Sequence, residues 1–210
     1  MNTGTRYLKT LGSAHDSLVL TRRKVALAKA IADCVDTEAA SLLDVGCGDG
    51  GIGHMVGEAR PQLKVQGVEV LQRPDCKIPC ALYDGKTLPF PDDSFDLVQA
   101  IDVLHHTEDI PGVLGECARV ARRGVIVKDH LRENAFDGAV LRFMDWVGNR
   151  AHGVGMTYNY ASRASWQDAI KRNGLTVSRW TQSLGLYPRP FNLAFERNLH
   201  FVALLEKGKA

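Results

Sequence analysis

Apolar positions along the first part of the chain fall into two rhythms. Between residues 20 and 36, Leu27, Ala30, Ile31, Cys34 and Val35 recur at the three-and-four spacing of one helix face. The rhythm then collapses into a continuous run, SLLDV, which reads as a buried strand ending at the glycine-rich stretch GCGDGGIG. Ile52, Met55, Val56 and Ala59 restore helical spacing, and Pro61 closes that helix. Strand-like runs follow at 64–70, 78–85, 95–101 and 124–130. The gap between the second and third of the five strands is too short for a full helix, so a turn or one helical turn is expected there. Asp109 is a candidate N-cap for a helix whose inner face carries Leu114, Cys117, Ala118 and Ala121.

The pattern changes after residue 130. Phe136, Val140, Phe143, Met144 and Val147 mark another helix face, and GNRAHGVGMTYNY reads as an aromatic loop. SRASWQDAIKRNG reads as a helix capped by Ser162 or Ser165 and closed by Gly174. TVSRWTQSL and HFVALLEKG then read as two strands with no helical pattern between them, which favours antiparallel pairing. Strands separated by helices earlier in the chain require crossovers, hence a mostly parallel sheet.

Composition narrows the classes. The chain has 210 residues, 45% hydrophobic and 24% charged, which suits one globular domain with a sizeable core. The formal charge of +2 offers no electrostatic footprint for nucleic acid or an anionic membrane. The basic runs Arg22-Arg23-Lys24 and Arg122-Arg123 are short and are expected on solvated faces. No apolar run approaches the roughly 18 residues of a spanning helix. The N-terminal stretch has no apolar leader segment, and five cysteines at 34, 47, 76, 80 and 117 form an odd set, so reduced thiols in a cytoplasmic setting are expected. Cys76-x3-Cys80 has no second pair after it, and no metal site is expected.

The glycine stretch poses a choice of ligand. A strand–glycine–helix unit lets a ligand approach backbone closely at the carboxyl ends of the strands. A dinucleotide places its pyrophosphate on the helix N-terminus. Here Asp44 and Asp49 stand in and before the loop, where they would repel a pyrophosphate and suit a ligand bearing an ammonium and a sulfonium. S-adenosylmethionine (SAM) has both. Glu69 closes the second strand, where a carboxylate can accept from both ribose hydroxyls. Asp84-Gly85 closes the third, where an adenine amino group and ring find an acceptor and room. Asp102 closes the fourth.

LLDVGCGDG, VQGVEV, LYDGKTLPFPDDSFDLVQAIDVLHHTED and VLGECARVARRGVIVKDH resemble the class I SAM-dependent methyltransferases, most closely the type 11 group, many of which act on small molecules. The likeness covers about residues 40–131, with a further likeness in the final strand pair. It implies an α/β, Rossmann-like, seven-stranded, mostly parallel sheet with helices on both faces and a C-terminal reversed strand pair. One domain would span 1–210, with its core at about 40–131 and 175–208 and an acceptor segment at about 132–174. The resemblance implies that Asp44, Gly46, Cys47, Gly48 and Gly50 shape the methionine side of the SAM pocket. Glu69 and Val70 would meet the ribose, Asp84 and Gly85 the adenine, and Ile101 and Asp102 the cofactor's flank. The chain departs from the family where LQRPDC follows the second strand: the usual helix is shortened or lost, and Leu71 becomes a candidate for the adenine wall.

The implied activity is methyl transfer to a small-molecule acceptor, expected at oxygen. A hydroxyl acceptor needs a base, and a histidine's ordinary pKa of about 6.5 suits that role. His130, Asp129 and His106 are the catalytic candidates, with His105 beside them. Acceptor-binding candidates are His105, His152, Tyr158, Tyr160 and Tyr187, which offer aromatic walls with polar tips. Trp166 reads as a core residue of its helix. Methylation of nucleic acid or protein, and SAM binding without turnover, stand as alternatives. Against base methylation, no Asp/Asn-Pro-Pro-aromatic stretch follows the fourth strand.

Overall fold

The computed structural model describes residues 21–71, 73–149 and 157–208. His152 lies outside the described residues. A helix over residues 21–32, α1, leads into strand β1 (Ser41–Val45), and helix α2 (Gly51–Ala59) follows the glycine turn. Strands β2 (Lys64–Glu69), β3 (Cys80–Leu82) and β4 (Phe95–Ile101) precede helix α3 (Ile110–Val120) and strand β5 (Ala121–His130). Helices α4 (Ala135–Asn149) and α5 (Arg163–Arg172), strand β6 (Leu175–Thr181), the short helix α6 (Asn192–Phe195) and strand β7 (His200–Lys207) complete the order.

The seven strands form one sheet in the order β3-β2-β1-β4-β5-β7-β6. The first five are parallel; β7 runs antiparallel between β5 and β6. The order reverses at β1, whose neighbours are β2 and β4, so a crevice opens beyond the carboxyl end of β1. Leu42, Leu43 and Val45 of β1 are fully buried. Each such side chain contributes about 2 kcal/mol by removal from water, which anchors the strand that carries the glycine turn. Leu43 and Val45 face one core layer with α3 and α5, and Leu42 faces the other with α1 and α2. The expected mostly parallel, doubly covered sheet with a reversed strand pair is the architecture observed.

Four local expectations change. Strand β3 is only three residues long, because it pairs with β2 alone and then turns at Asp84-Gly85. Ala121 starts β5 instead of ending α3. Arg23 turns inward to Asp102 at 2.6 Å instead of facing solvent. The apolar stripe of α4 points outward: Phe136, Phe143 and Val147 are about half exposed, while Asp137, Leu141 and Asp145 are buried. The reason is local pairing. The Asp137 carboxylate accepts from the Glu133 backbone N–H, and the Asp145 carboxylate accepts from the Tyr160 hydroxyl at 2.5 Å. Two satisfied carboxylates set the rotation of the helix, since burying them unpaired would cost more than exposing phenylalanines.

Candidate functional site: a cleft at the reversal of strand order

The turn after β1 carries Gly46, Gly48 and Gly50 at φ of +65°, +59° and +67°. A Cβ on Gly46 would stand 2.5 Å from the Val103 side chain, and one on Gly50 would stand 2.9 Å from Ile78. At Gly48 the nearest atoms are those of Arg73 at 3.9 Å, so its backbone faces open space. These three positions let the chain turn sharply under a ligand. The Gly48 N–H donates to Oε2 of Glu69 at 2.8 Å, and the Val70 N–H donates to Oε1 at 2.8 Å. Both carboxylate oxygens are thereby oriented at the end of β2.

A cleft of about 830 Å³ opens over this turn. It is lined by Gly46, Gly48, Glu69, Val70, Asp84, Gly85 and Asp102, all anticipated, and by Leu71, the proposed adenine wall. Tyr83, Arg73, Val103, Thr107 and Val113 line it too and were not singled out in sequence. Besides Asp102, which is paired with Lys128 and Arg23, the four acids Glu69, Asp84, Glu108 and Asp109 face it against Arg73 and Lys86, so acidic groups outnumber cations. That balance favours a positively charged ligand over a pyrophosphate.

Other anticipated residues lie behind the wall. Asp44 is buried beneath the turn, and burial, with Glu69 and Asp49 nearby, pushes its carboxyl up to about 7. Ile101 is buried in the core. Gly50 caps α2, and Cys47 turns away, its Sγ donating to Sγ of Cys80 at 3.5 Å. Asp49 does not line the cleft: it pairs with Lys24 at 2.6 Å and accepts from the Gly51 N–H. Its charge is thus neutralised at the start of α2, and Glu69 supplies the acidity the sequence had placed there. Asp84 is exposed, its carboxylate held below the ordinary range by the backbone N–H groups of Thr87 and Lys86.

Beyond the ends of β4 and β5 lies a buried network. Asp102, in a left-handed backbone position at φ +57°, is paired with Lys128 and Arg23. Burial opposes its charge, but the two cations outweigh that and hold it well below the usual carboxylate range. His105 is 1% exposed; its Nδ1 lies 2.7 Å from Asp129, and its Nε2 lies 3.4 Å from Asp145. Burial disfavours its charge, yet Asp129 and Asp145 prevail and push it up to about 10. Asp129 is fully buried and also accepts from the His130 N–H at 2.7 Å. His130 is 2% exposed, stacked on His105 at 4.6 Å, and held neutral by burial and by the Lys128 and His105 charges. Neither Asp129 nor His130 lines the cleft. His106 does, and burial together with the His105 charge lowers its pKa. Its Nδ1 has no hydrogen-bond partner among the described residues.

Residues 157–160 lie across this end of the sheet. The Thr157 hydroxyl and the Asn159 N–H both donate to the His105 carbonyl, and the Asn159 amide donates to the Thr107 carbonyl at 3.0 Å. Tyr160 is buried, stacked 5.6 Å from His105, with its hydroxyl on Asp145. Tyr158 is half buried, 6.3 Å from Tyr160. Tyr187 is half buried against His200 and Phe195. His105 and Tyr160 therefore brace the mouth from behind instead of lining it. Trp166 is buried as expected, its indole N–H donating to the His130 carbonyl.

Residues 43–127 match the family described as Methyltransferase domain. Ajmaline N-methyltransferase of Rauvolfia serpentina is 28% identical over 139 residues, 60% of this chain and 48% of that protein. 27-O-demethylrifamycin SV methyltransferase of Amycolatopsis mediterranei is 32% identical over 96 residues, 40% of this chain and 35% of that protein. The chain thus spans less than half the length of these two curated relatives. The crystal structure of an S-adenosylmethionine-dependent methyltransferase from Mesorhizobium loti superposes with a TM-score of 0.64 at 17% identity, covering 85% of this chain and 96% of that one. No described helix is long and apolar enough to cross a membrane.

Proposed function

We propose that this chain, which carries a SAM-dependent methyltransferase domain of the class I fold, methylates a small molecule at oxygen. The observation that carries the reading is the Glu69 carboxylate, fixed by the Gly48 and Val70 N–H groups at the rim of an acidic, glycine-floored cleft. Its two oxygens retain lone pairs for a ribose diol. The fit to the cofactor is good on the chain's own terms: the bare backbone at Gly48 admits close approach, and the acidic lining complements a sulfonium and an ammonium. When bound, SAM supplies an electrophilic methyl group.

The protein aligns the acceptor and excludes water. Gly46 and Gly48 form the methionine side, with the buried Asp44 carboxyl beneath them, and Tyr83, Val70 and Leu71 with Gly85 the adenine side. The acceptor enters over Asp102, Val103 and His106. The 157–160 strap closes one flank of that mouth, which suits a compact acceptor better than a polymer. His106 is the base in this reading: it faces the cleft and is neutral near pH 7, ready to take a hydroxyl proton. Asp129 and His130 act as positioning residues behind it. The two relatives' names refer to a nitrogen and an oxygen acceptor, both on small molecules.

The test is a methyl-transfer assay with isotopically labelled SAM against a panel of phenolic and alcoholic small molecules, alongside tRNA and a protein lysate. Label appearing only in the small-molecule fraction supports the reading. Label in nucleic acid or protein would overturn it.

A further inference from the structure

Among the described residues between β2 and β3 there is no helix, and the segment approaches the cofactor turn closely. The Lys77 N–H donates to the Asp49 carbonyl at 3.0 Å, and the Gly67 N–H donates to the Pro79 carbonyl at 2.7 Å. This brings Cys76 and Cys80 against Cys47 of the turn. The three sulfurs lie within 4.8 Å of one another, with Cys47 and Cys80 at 3.5 Å. Two glycines make room for them: a Cβ on Gly67 would stand 2.5 Å from the Cys47 sulfur, and one on Gly50 would stand 3.0 Å from the Cys76 sulfur. All three cysteines are half buried.

We propose that Cys47, Cys76 and Cys80 form a three-sulfur site for a soft d10 cation that staples the β2–β3 connection to the cofactor turn. The donor set decides the class of ion. Three thiols and no nitrogen or carboxylate donor form the group among the described residues, and thiolates select soft cations such as Cu(I) over Mg2+ or Ca2+. A three-sulfur set is complete for a trigonal soft ion, whereas structural Zn2+ takes four ligands. On binding, the S–H protons leave to solvent as sulfur–metal bonds form, with no oxidant or reductant involved. Sequence spacing hides the site, because Cys76 and Cys80 supply only two of its donors. The third comes from the turn after β1, on the far side of β2 in the chain.

The test uses the whole chain, reduced and stripped of metal, titrated with Cd2+ as probe and followed by thiolate-to-metal ultraviolet absorbance. Alkylation by iodoacetamide is then mapped by peptide mass spectrometry. One equivalent should bind, and Cys47, Cys76 and Cys80 should be protected together. Cys76→Ser and Cys80→Ser should each weaken binding at least a hundredfold, while His106→Ala should not. Cu(I) should compete for the site more strongly than Zn2+. Absence of stoichiometric binding, wild-type affinity in Cys76→Ser, or loss of binding in His106→Ala would overturn the proposal. So would a Cys47–Cys80 disulfide forming in air with no ion taken up after reduction. If the serine variants fail to fold, the protection pattern of the unmodified chain decides alone.

Discussion

Asp145 of α4 places a carboxylate oxygen 3.4 Å from Nε2 of His105, whose opposite nitrogen lies 2.7 Å from Asp129 of β5. One buried imidazolium thus joins α4 to the central sheet through two carboxylates. Asp102 is balanced in turn by Lys128 and Arg23. Three acids and three cations make the network neutral overall, which is how so many ionisable groups are tolerated under the mouth of the cleft.

Removing one partner leaves a buried charge uncompensated. Asp145→Ala should destabilise the fold by about 3 kcal/mol, read by urea denaturation. The pair also sets a pH window. Asp145 is held below its ordinary range, so its contribution is present above that range and fades as the pH falls. His105 is raised to about 10, so its contribution is full below its ordinary pKa and is lost as the pH rises through 10. Asp145→Ala should therefore flatten the stability profile at both edges. An unaltered profile would show that the pair does not hold α4.

His106→Gln should lower turnover by about 100-fold, the lower end for loss of a general base, with SAM affinity unchanged. The wild-type rate should rise with pH through a transition below the ordinary histidine value and then level, since His106 is lowered. That transition should vanish in the variant. A His106→Gln enzyme with wild-type turnover would return the residue to a lining role.

Asp44 is raised to about 7 by burial, so the folded chain without ligand carries it partly protonated at neutral pH. A cationic ligand favours the ionised form. SAM affinity should rise as pH increases through 7 and then level, while the stability of the ligand-free chain that depends on Asp44 is fullest at acid pH and is lost over the same interval. Asp44→Asn should remove both trends. Calorimetric titration across this range checks the first, and thermal melts check the second.

Gly46 and Gly48 separate strain from crowding. Gly46→Ala meets Val103 at 2.5 Å as well as an unfavourable backbone angle, whereas Gly48→Ala meets only the angle. Gly46→Ala should thus lower the melting temperature more than Gly48→Ala, and both should weaken SAM binding. The reverse order in melting would contradict the geometry of the turn.

The legible parts of this chain were those set by neighbours in sequence. The apolar run before the glycines marks β1 because burial of Leu42, Leu43 and Val45 and the turn that follows are local facts. Asp109 does cap α3, accepting from the Gly112 N–H, and Ser162 does cap α5. What could not be read depended on distant pairing. The rotation of α4 follows from Asp145 meeting His105 and Tyr160, and the inward turn of Arg23 follows from Asp102, 79 residues away. Asp49 kept its place in the cofactor turn yet lost its expected role, because Lys24 of α1 neutralises it. Apolar periodicity carries no information about such partners.

The cofactor assignment rests on Glu69, and calorimetric titration of SAM into the wild-type chain and Glu69→Ala tests it most directly. SAM should bind the wild type, and the variant should lose at least about tenfold in affinity, or about 1.4 kcal/mol, with circular dichroism unchanged. NAD should show no binding to either. An equal dissociation constant for SAM in both proteins, or tighter binding of NAD than SAM, would contradict the account.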